Sequence, residues 1–358
     1  MNPDRILFVF ARSVVQRRAR VQAGEIPSET LYGLPELEQA GWLVDVADDH
    51  FKGPIGRRIA TNVAKLRHYD INVPDWHLLR RMRGYGAVVM KDDLSVFASA
   101  VARMNATPLV YLDAMFQLPR NPLRRLAVKL ASVLASKLVS YSTTQNALWS
   151  RELSIPARKF SAVPFGLDLR RYPALPDHDD LAVGYVLAVG RDPGRDYVSL
   201  VQALAGTGIQ LKLVTLPYLL RGVQTVEPWI EVRQNVSYTE LHQLYAGALA
   251  VVVPLAESYS YPAGIRGMLE AMAIRRPLVV TRTPCLEEYA RNEAEVLFVP
   301  PRDPDALREA LLRLKGDRSL VSALVAGARQ RVESEFTVQH MAAALQAILR
   351  EQMAERTR

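Results

Sequence analysis

Twelve short apolar runs recur along the chain, and between most of them lie segments whose apolar positions repeat at helical spacing. This alternation constrains the fold more than any other feature. Short runs apolar on both faces must be covered on both faces, and helices returning between them make the sheets parallel. The first series reads Ile6–Phe10, Leu43–Ala47, Ala87–Met90, Leu109–Leu112, Leu138–Tyr141 and Ser161–Pro164. The second reads Tyr185–Val189, Gln210–Val214, Ile230–Arg233, Ala250–Pro254, Leu278–Thr281 and Val296–Val299. Between them, Gly166–Val183 has no clear periodicity, so an α/β chain of two domains split near residue 175 is expected. Past the last run, Asp303 can cap a helix Pro304–Leu314, and helical stretches Leu320–Glu333 and Val338–Glu351 follow. The expected boundaries are 1–172, 173–335 and a terminal helix, 336–358, that crosses back onto the first domain.

With 358 residues and 49% hydrophobic content, the chain can bury two cores of ordinary size. No window holds the roughly 18 apolar residues of a membrane span, and MNPDRILFVFARS reads as a first strand with charged flanks. A cytoplasmic location follows as the expectation. Cys285 stands alone, which excludes an intramolecular disulfide and a cysteine-cluster metal site. The net charge of +8 is concentrated in residues 1–180, with 25 Lys and Arg against 18 Asp and Glu. Arg17, Arg18 and Arg20, then Arg57 and Arg58, then Arg80, Arg81 and Arg83, then Arg120, Arg124, Arg125 and Lys129 form its clusters. Such patches suit an anionic substrate or an anionic bilayer surface; without interleaved aromatics, specific nucleic-acid binding is not expected. In Pro122–Leu138, one helical face collects Leu126, Leu130, Val133, Leu134 and Leu138, either facing the core or lying on a membrane.

Ligands of parallel α/β sheets bind beyond the carboxyl ends of strands, so the residues just after each strand matter most. After Tyr185–Val189 comes Gly190-Arg191-Asp192-Pro193-Gly194-Arg195-Asp196. The glycines permit a tight turn, and the two guanidinium groups can fork onto phosphate oxygens or pair with Asp192 and Asp196. After Ala250–Pro254 comes a polar loop containing Glu257, leading into a helix that carries Gly264, Ile265, Arg266 and Glu270. Amides at such a helix start can hold an anion. Glu270 sits among Met268, Leu269, Ala271 and Met272, where a carboxylate needs partners: a ribose diol, or Arg275 or Arg276. Asp113, after Leu109–Leu112, can touch an acceptor; Asp92 and Asp93 suit a helix cap, and Asp177-His178-Asp179 a solvated run. His77 and His242 stand isolated, and P-loop, zinc and serine-elbow motifs are absent from the sequence.

The stretch GIRGMLEAMAIRRPLVVT, Gly264–Thr281, resembles the donor-site helix and following strand of family 4 glycosyltransferases. YVLAVGRDPGRDYVSLVQAL is similar to that family's arginine-bearing loop, and SYTELHQLYAGALAVVVPL to its helix-strand unit before the donor loop. CLEEYARNEAEVLFVPPRDPDALREALLRL is similar to its closing segment, and Phe165-Gly166-Leu167-Asp168 to its turn before the linker. The resemblance covers roughly residues 160–315 in order. It implies a GT-B fold: two Rossmann-like domains facing each other across a cleft, the second binding a nucleotide-sugar donor. It implies a retaining, hexosyltransferase-type enzyme that needs neither cofactor nor metal. Arg191 and Arg195 would neutralise the donor diphosphate, with Gly190, Gly264, Ile265 and Arg266 about the donor and Glu270 on its ribose.

The family's E-x7-E pattern places its first Glu at Pro262 here. Glu257, or the amides of Gly264 and Ile265, would take over the contact with the transferred sugar. A GT-B protein that binds a nucleotide sugar or a partner transferase without catalysis is the alternative. The acceptor, a glycan or lipid-linked molecule of cell-surface polysaccharide or glycoconjugate synthesis, would dock on the first domain near Gly24 and Asp113. An anionic membrane surface is a further expected partner of that basic half, which places the protein peripherally on the inner face of the cytoplasmic membrane.

Overall fold

The computed structural model describes residues 5–10, 14–47, 82–91, 94–113, 118–119, 121–176, 184–223, 227–257 and 261–356. Arg57, Arg58, His77, Arg80, Arg81, Asp92, Asp93, Arg120 and Asp177-His178-Asp179 lie outside the described residues. The strands are β1 (Arg5–Phe10), β2 (Leu43–Ala47), β3 (Ala87–Lys91), β4 (Leu109–Leu112), β5 (Lys137–Ser140), β6 (Phe160–Ala162), β7 (Tyr185–Val189), β8 (Gln210–Val214), β9 (Ile230–Arg233), β10 (Ala248–Val253), β11 (Leu278–Thr281) and β12 (Leu297–Val299). The helices are α1 (Val15–Gln22), α2 (Leu34–Gln39), α3 (Val96–Met104), α4 (Pro122–Leu134), α5 (Thr143–Leu153), α6 (Tyr197–Leu204), α7 (Tyr238–Ala246), α8 (Ile265–Ile274), α9 (Pro304–Gly316), α10 (Arg318–Glu335) and α11 (Val338–Arg356). All twelve expected strands form.

The chain divides into two units, one of residues 1–164 with 338–358 and one of residues 165–337. In the first, six parallel strands run in the order β2-β1-β3-β4-β5-β6. In the second, six parallel strands run β12-β11-β10-β7-β8-β9. Every residue of β3, β4, β10 and β11 is buried, which is why their sequences are apolar without alternation.

The helices start where short polar side chains cap them. Ser237 accepts from the Glu240 amide at 3.1 Å before α7, and Asp303 from the Ala306 amide at 2.9 Å before α9, with Pro304 at its first position. Ser95 caps α3 by accepting from the Ala98 amide at 3.2 Å, so the cap expected of Asp92 or Asp93 comes from a residue nearer the helix.

Two expectations change. The segment expected as a linker from residue 166 folds onto the second unit through its first eleven residues. The Leu167 amide donates to the Phe336 carbonyl at 2.9 Å, and the Phe165 amide to the Tyr289 hydroxyl at 3.0 Å. Buried Asp168 accepts from the Arg170 amide, so a polar, aperiodic stretch here is a hydrogen-bonded turn, and the units part at 164/165. The second change concerns α4. It buries Ala131 and Ser132, packing small residues on α3, and leaves Leu123, Leu126, Leu130 and Val133 from 44% to 76% exposed. Leu138 belongs to β5. The core-facing reading of this apolar face does not hold.

Helix α11, last in sequence, belongs to the first unit. It buries Val338, Met341, Ala342, Leu345, Ile348 and Leu349 and packs on α2 and β3.

Candidate donor site

In the second unit the chain leaves β7 toward β8 on one side, and leaves the adjacent β10 toward β11 on the other. Loops after two such strands diverge and leave a crevice at the carboxyl edge, the usual ligand position of a doubly wound sheet. Here the two loops are laced together. The Asp196 amide donates to the Pro254 carbonyl at 3.1 Å, the Ala256 amide to the Gly194 carbonyl at 3.0 Å, and Arg195 bridges Leu255. The Gly190 carbonyl accepts from the Tyr197 hydroxyl at 2.9 Å and the Thr215 hydroxyl at 2.8 Å, which fixes the turn after β7. Thr281, at the end of β11, takes the Leu255 amide at 2.9 Å.

Arg195 is the residue this lacing serves. Its side chain is 3% exposed, and Nε donates to Asp192 at 2.7 Å. Asp196 caps α6 through the Ser199 amide, so of the two acids beside the arginines one pairs and one caps. Nη1 of Arg195 is buried with no hydrogen-bond partner among the described residues. A buried charged donor left unpaired costs about 1–3 kcal/mol or more, a cost that an anion at this nitrogen would remove.

Both flanks of the guanidinium are glycine. A Cβ at Gly190 would stand 2.1 Å from Arg195 Nε, and one at Gly264 would stand 2.5 Å from Val253 and 3.4 Å from both terminal nitrogens. Gly264 is the N-cap of α8, with φ +81° and no side chain capping the helix. The Ile265 amide is used, donating to the Pro262 carbonyl at 3.2 Å. The amides of Gly264 and Gly267 have no partner among the described residues. The open donors of the helix start are therefore those of the two glycines, and they share their corner with the unused nitrogen of Arg195.

Glu270 is 3% exposed, one turn deeper in α8. Oε1 accepts from the Tyr172 hydroxyl at 3.1 Å and from Arg266 Nε at 3.0 Å; Oε2 accepts from the Tyr245 hydroxyl at 3.0 Å. The arginine that pairs with it is thus Arg266. Arg276 instead donates to the carbonyls of Tyr245, Ala246 and Pro176. Burial, then the Glu270 charge, pushes the Tyr245 phenol well above its ordinary range, so it stays a donor. His242, one turn before Tyr245, has Nε2 buried without a partner among the described residues. Burial lowers its pKa, against the opposing pull of Glu270. Oε2 of Glu270, with one partner here, has room for a further hydroxyl.

Two sequence candidates sit at the rim. Arg191 is exposed and reaches Asn235 at 3.3 Å; Glu257 is 63% exposed and accepts from Arg302 at 3.0 Å. The acceptor candidates lie in the first unit, in different settings. Gly24 closes a turn after α1, its amide donating to Val21 at 3.0 Å, so a helix separates this loop from β1. Asp113, just past β4 with φ +63°, pairs through Oδ2 with Lys91 Nζ at 2.6 Å, both side chains nearly sealed from water. Burial raises the Asp113 pKa against the pull of Lys91 and Tyr32. Tyr172, Tyr245 and the Gly267 amide are site groups the sequence reading missed. Tyr238 and Tyr245 stand seven apart on α7, a spacing that could have marked one face; Tyr172 offered no signal. Among the described residues, no group of three or more His, Cys, Asp or Glu gathers as a metal site.

Two six-stranded parallel sheets in separate units, each surrounded by helices, are the architecture of the GT-B class of two-domain proteins. Solved structures share that fold over nearly the whole chain. A glycosyltransferase from Rickettsia africae is 14% identical, with 99% of each chain covered and a TM-score of 0.71. Sucrose-phosphate synthase from Thermosynechococcus elongatus is 19% identical, covering 98% of this chain and 99% of its own, with a TM-score of 0.71. HepE of Anabaena, solved in complex with UDP, is 18% identical, covering 97% and 100%, with a TM-score of 0.67. No curated protein sequence matches the chain. Residues 196–317, within the second unit, match the family model described as Glycosyl transferases group 1.

Proposed function

We propose that the chain transfers a sugar from a nucleoside-diphosphate sugar, with retention of anomeric configuration and without a metal ion. The observation that carries this reading is the buried, unfilled Nη1 of Arg195 beside the uncapped start of α8. Arg195 and the amides of Gly264 and Gly267 take the donor diphosphate, and Arg191 closes on it from the rim. Glu270 Oε2 accepts from a ribose hydroxyl. During transfer the bond from the anomeric carbon to the diphosphate oxygen breaks, and a bond to the acceptor oxygen forms on the same face. The acceptor proton passes to the departing diphosphate. Negative charge grows on that leaving group, where fixed cations and helix amides stabilise the transition state. The sugar hydroxyls fall to the α8 start or to Glu257.

UDP sugars head the candidate donors, because HepE is solved with UDP, with UDP and glucose, and with UDP-glucose. The acceptor, a glycan or lipid-linked molecule of surface polysaccharide synthesis, we assign to the first unit. No helix among the described residues is long and apolar enough to cross a membrane. The exposed face of α4, with Arg124 and Lys129 beside four apolar side chains, instead suits an anionic bilayer surface.

The test is calorimetry of UDP, GDP, ADP and their sugar conjugates against the wild type, Arg195→Ala and Glu270→Ala. One nucleotide should bind selectively, and each variant should weaken it at least about tenfold, a loss of ~1.4 kcal/mol. With the matching donor and acceptor, Arg191→Ala should lower turnover by about 10²–10³-fold, and EDTA should leave turnover unchanged. Silence of the folded wild type across the panel would refute the assignment.

A further inference from the structure

The first unit holds a second feature, remote from any strand end discussed so far. A cavity of about 700 Å³ opens at the amino-terminal edge of its sheet, where Pro108, Ser136 and Lys159 stand immediately before β4, β5 and β6. Lys91 and Asp113 lie at the other edge. The walls are the end of α3, the end of α4 and the last turns of α11. Five cations line it, Arg103, Lys137, Arg158, Lys159 and Arg356, against two carboxylates, Glu351 and Glu355.

The two carboxylates offset only part of this charge. Glu351 lies 3.5 Å from Lys137 Nζ, and Glu355 accepts from the Gln352 amide at 3.1 Å. Lys159 donates to the carbonyls of Val133 at 3.0 Å and Ala135 at 2.5 Å, at the carboxyl end of α4, and Arg356 donates to the Tyr85 carbonyl at 3.0 Å. The guanidinium groups of Arg103 and Arg158 have no hydrogen-bond or ion-pair partner among the described residues. After burial, these two guanidinium groups are the largest influences lowering the Lys159 pKa, with Glu355 opposing them. The volume falls within the range of small-molecule pockets, and unpaired guanidinium forks over a concave wall match the geometry of phosphate oxygens.

We propose that this cavity is a phosphate-binding site, separate from the donor site, in which Arg103 and Arg158 grip a phosphate group seated over Lys159. The phosphate belongs to a small phosphorylated metabolite or to the headgroup of an anionic lipid. The second source is raised by position: Val133, whose carbonyl holds Lys159, is also the last exposed apolar residue of the α4 face. Because α11 forms one wall, an occupied site ties the end of that helix to the strand edge, and binding to the folded state alone raises stability by mass action.

The experiment measures the melting temperature and calorimetric binding of the full chain with inorganic phosphate at matched ionic strength. Arg103→Ala/Arg158→Ala removes two exposed, partnerless side chains and should fold normally. Phosphate should raise the melting temperature of the wild type and of Arg195→Ala, and its affinity should fall at least about tenfold in the double variant. Equal binding by wild type and double variant would overturn the proposal, as would binding lost in Arg195→Ala, which would move the phosphate to the donor site. Flotation with phosphatidylglycerol and phosphatidylcholine vesicles separates the two sources. Phosphatidylglycerol binding displaced by phosphate and weakened in the double variant assigns a lipid headgroup. Vesicle binding indifferent to both, with phosphate bound in solution, assigns a soluble ligand.

Discussion

Lys91 and Asp113 are two opposite charges removed from water, side-chain exposures 6% and 11%, with 2.6 Å between them. Asp113 Oδ1 remains buried without a hydrogen-bond partner among the described residues. Deleting one member of such a pair strands the other, whereas replacing both with apolar groups can be neutral. Lys91→Met and Asp113→Leu should each cost about 3–5 kcal/mol in urea unfolding, and the double variant less than either single one. Additive losses would show that the two are not coupled. In the sequence, Asp113 stands out by its place after a strand. Lys91 does not stand out as its partner, because that pairing is set by the register of β3 beside β4. Arg191, Arg195, Gly264 and Glu270 stand out in the sequence because they fall within short, ordered motifs, and the structure brings Arg195 and Gly264 together. Tyr172 does not stand out, since it meets Glu270 across 98 positions of chain.

Elements were read from two kinds of signal, and one failed. Strand runs carried their own burial, since a parallel strand covered on both faces is apolar throughout, and all twelve were found. Helix amphipathicity reveals only that one face is apolar, not what covers it. In α4 the small residues Ala131 and Ser132 face the unit with Val128 beside them, while Leu123, Leu126, Leu130 and Val133 face outward. That inversion turns an ordinary core pattern into a surface with Arg124 and Lys129 at its side. Leu126→Ser/Leu130→Ser should leave the melting temperature within a few degrees, because both side chains are already exposed, while cutting co-sedimentation with phosphatidylglycerol vesicles about tenfold or more. Undiminished vesicle binding by that variant would remove α4 from the membrane contact.

At the scale of the molecule, the two parallel sheets followed from the strand rhythm, whereas the order of strands within each did not. The unit boundary did not, because residues 165–176 look like a linker in composition but spend their polar groups on turns of the second unit. The terminal helix matters more for stability than its position suggests. Six apolar side chains of α11 are buried in the first unit, and truncating one buried aliphatic residue costs about 2–5 kcal/mol. Losing all six exceeds the ~5–15 kcal/mol by which a domain is stable. A chain stopped after Thr337 should lose amide-exchange protection throughout β1–β5 while β7, β10 and β11 keep theirs; protection retained in both units would contradict the role given to α11.

That same helix sets a schedule for the newborn chain. The second unit, residues 165–337, is continuous, and all of it has been translated before α11 is made. The first unit, although translated earliest, waits for the final segment. Domains are ordinarily completed in the order of synthesis. In this protein the order reverses, and the unfinished first sheet, with its apolar strands, must be kept from aggregating for the whole time that the second unit takes to emerge.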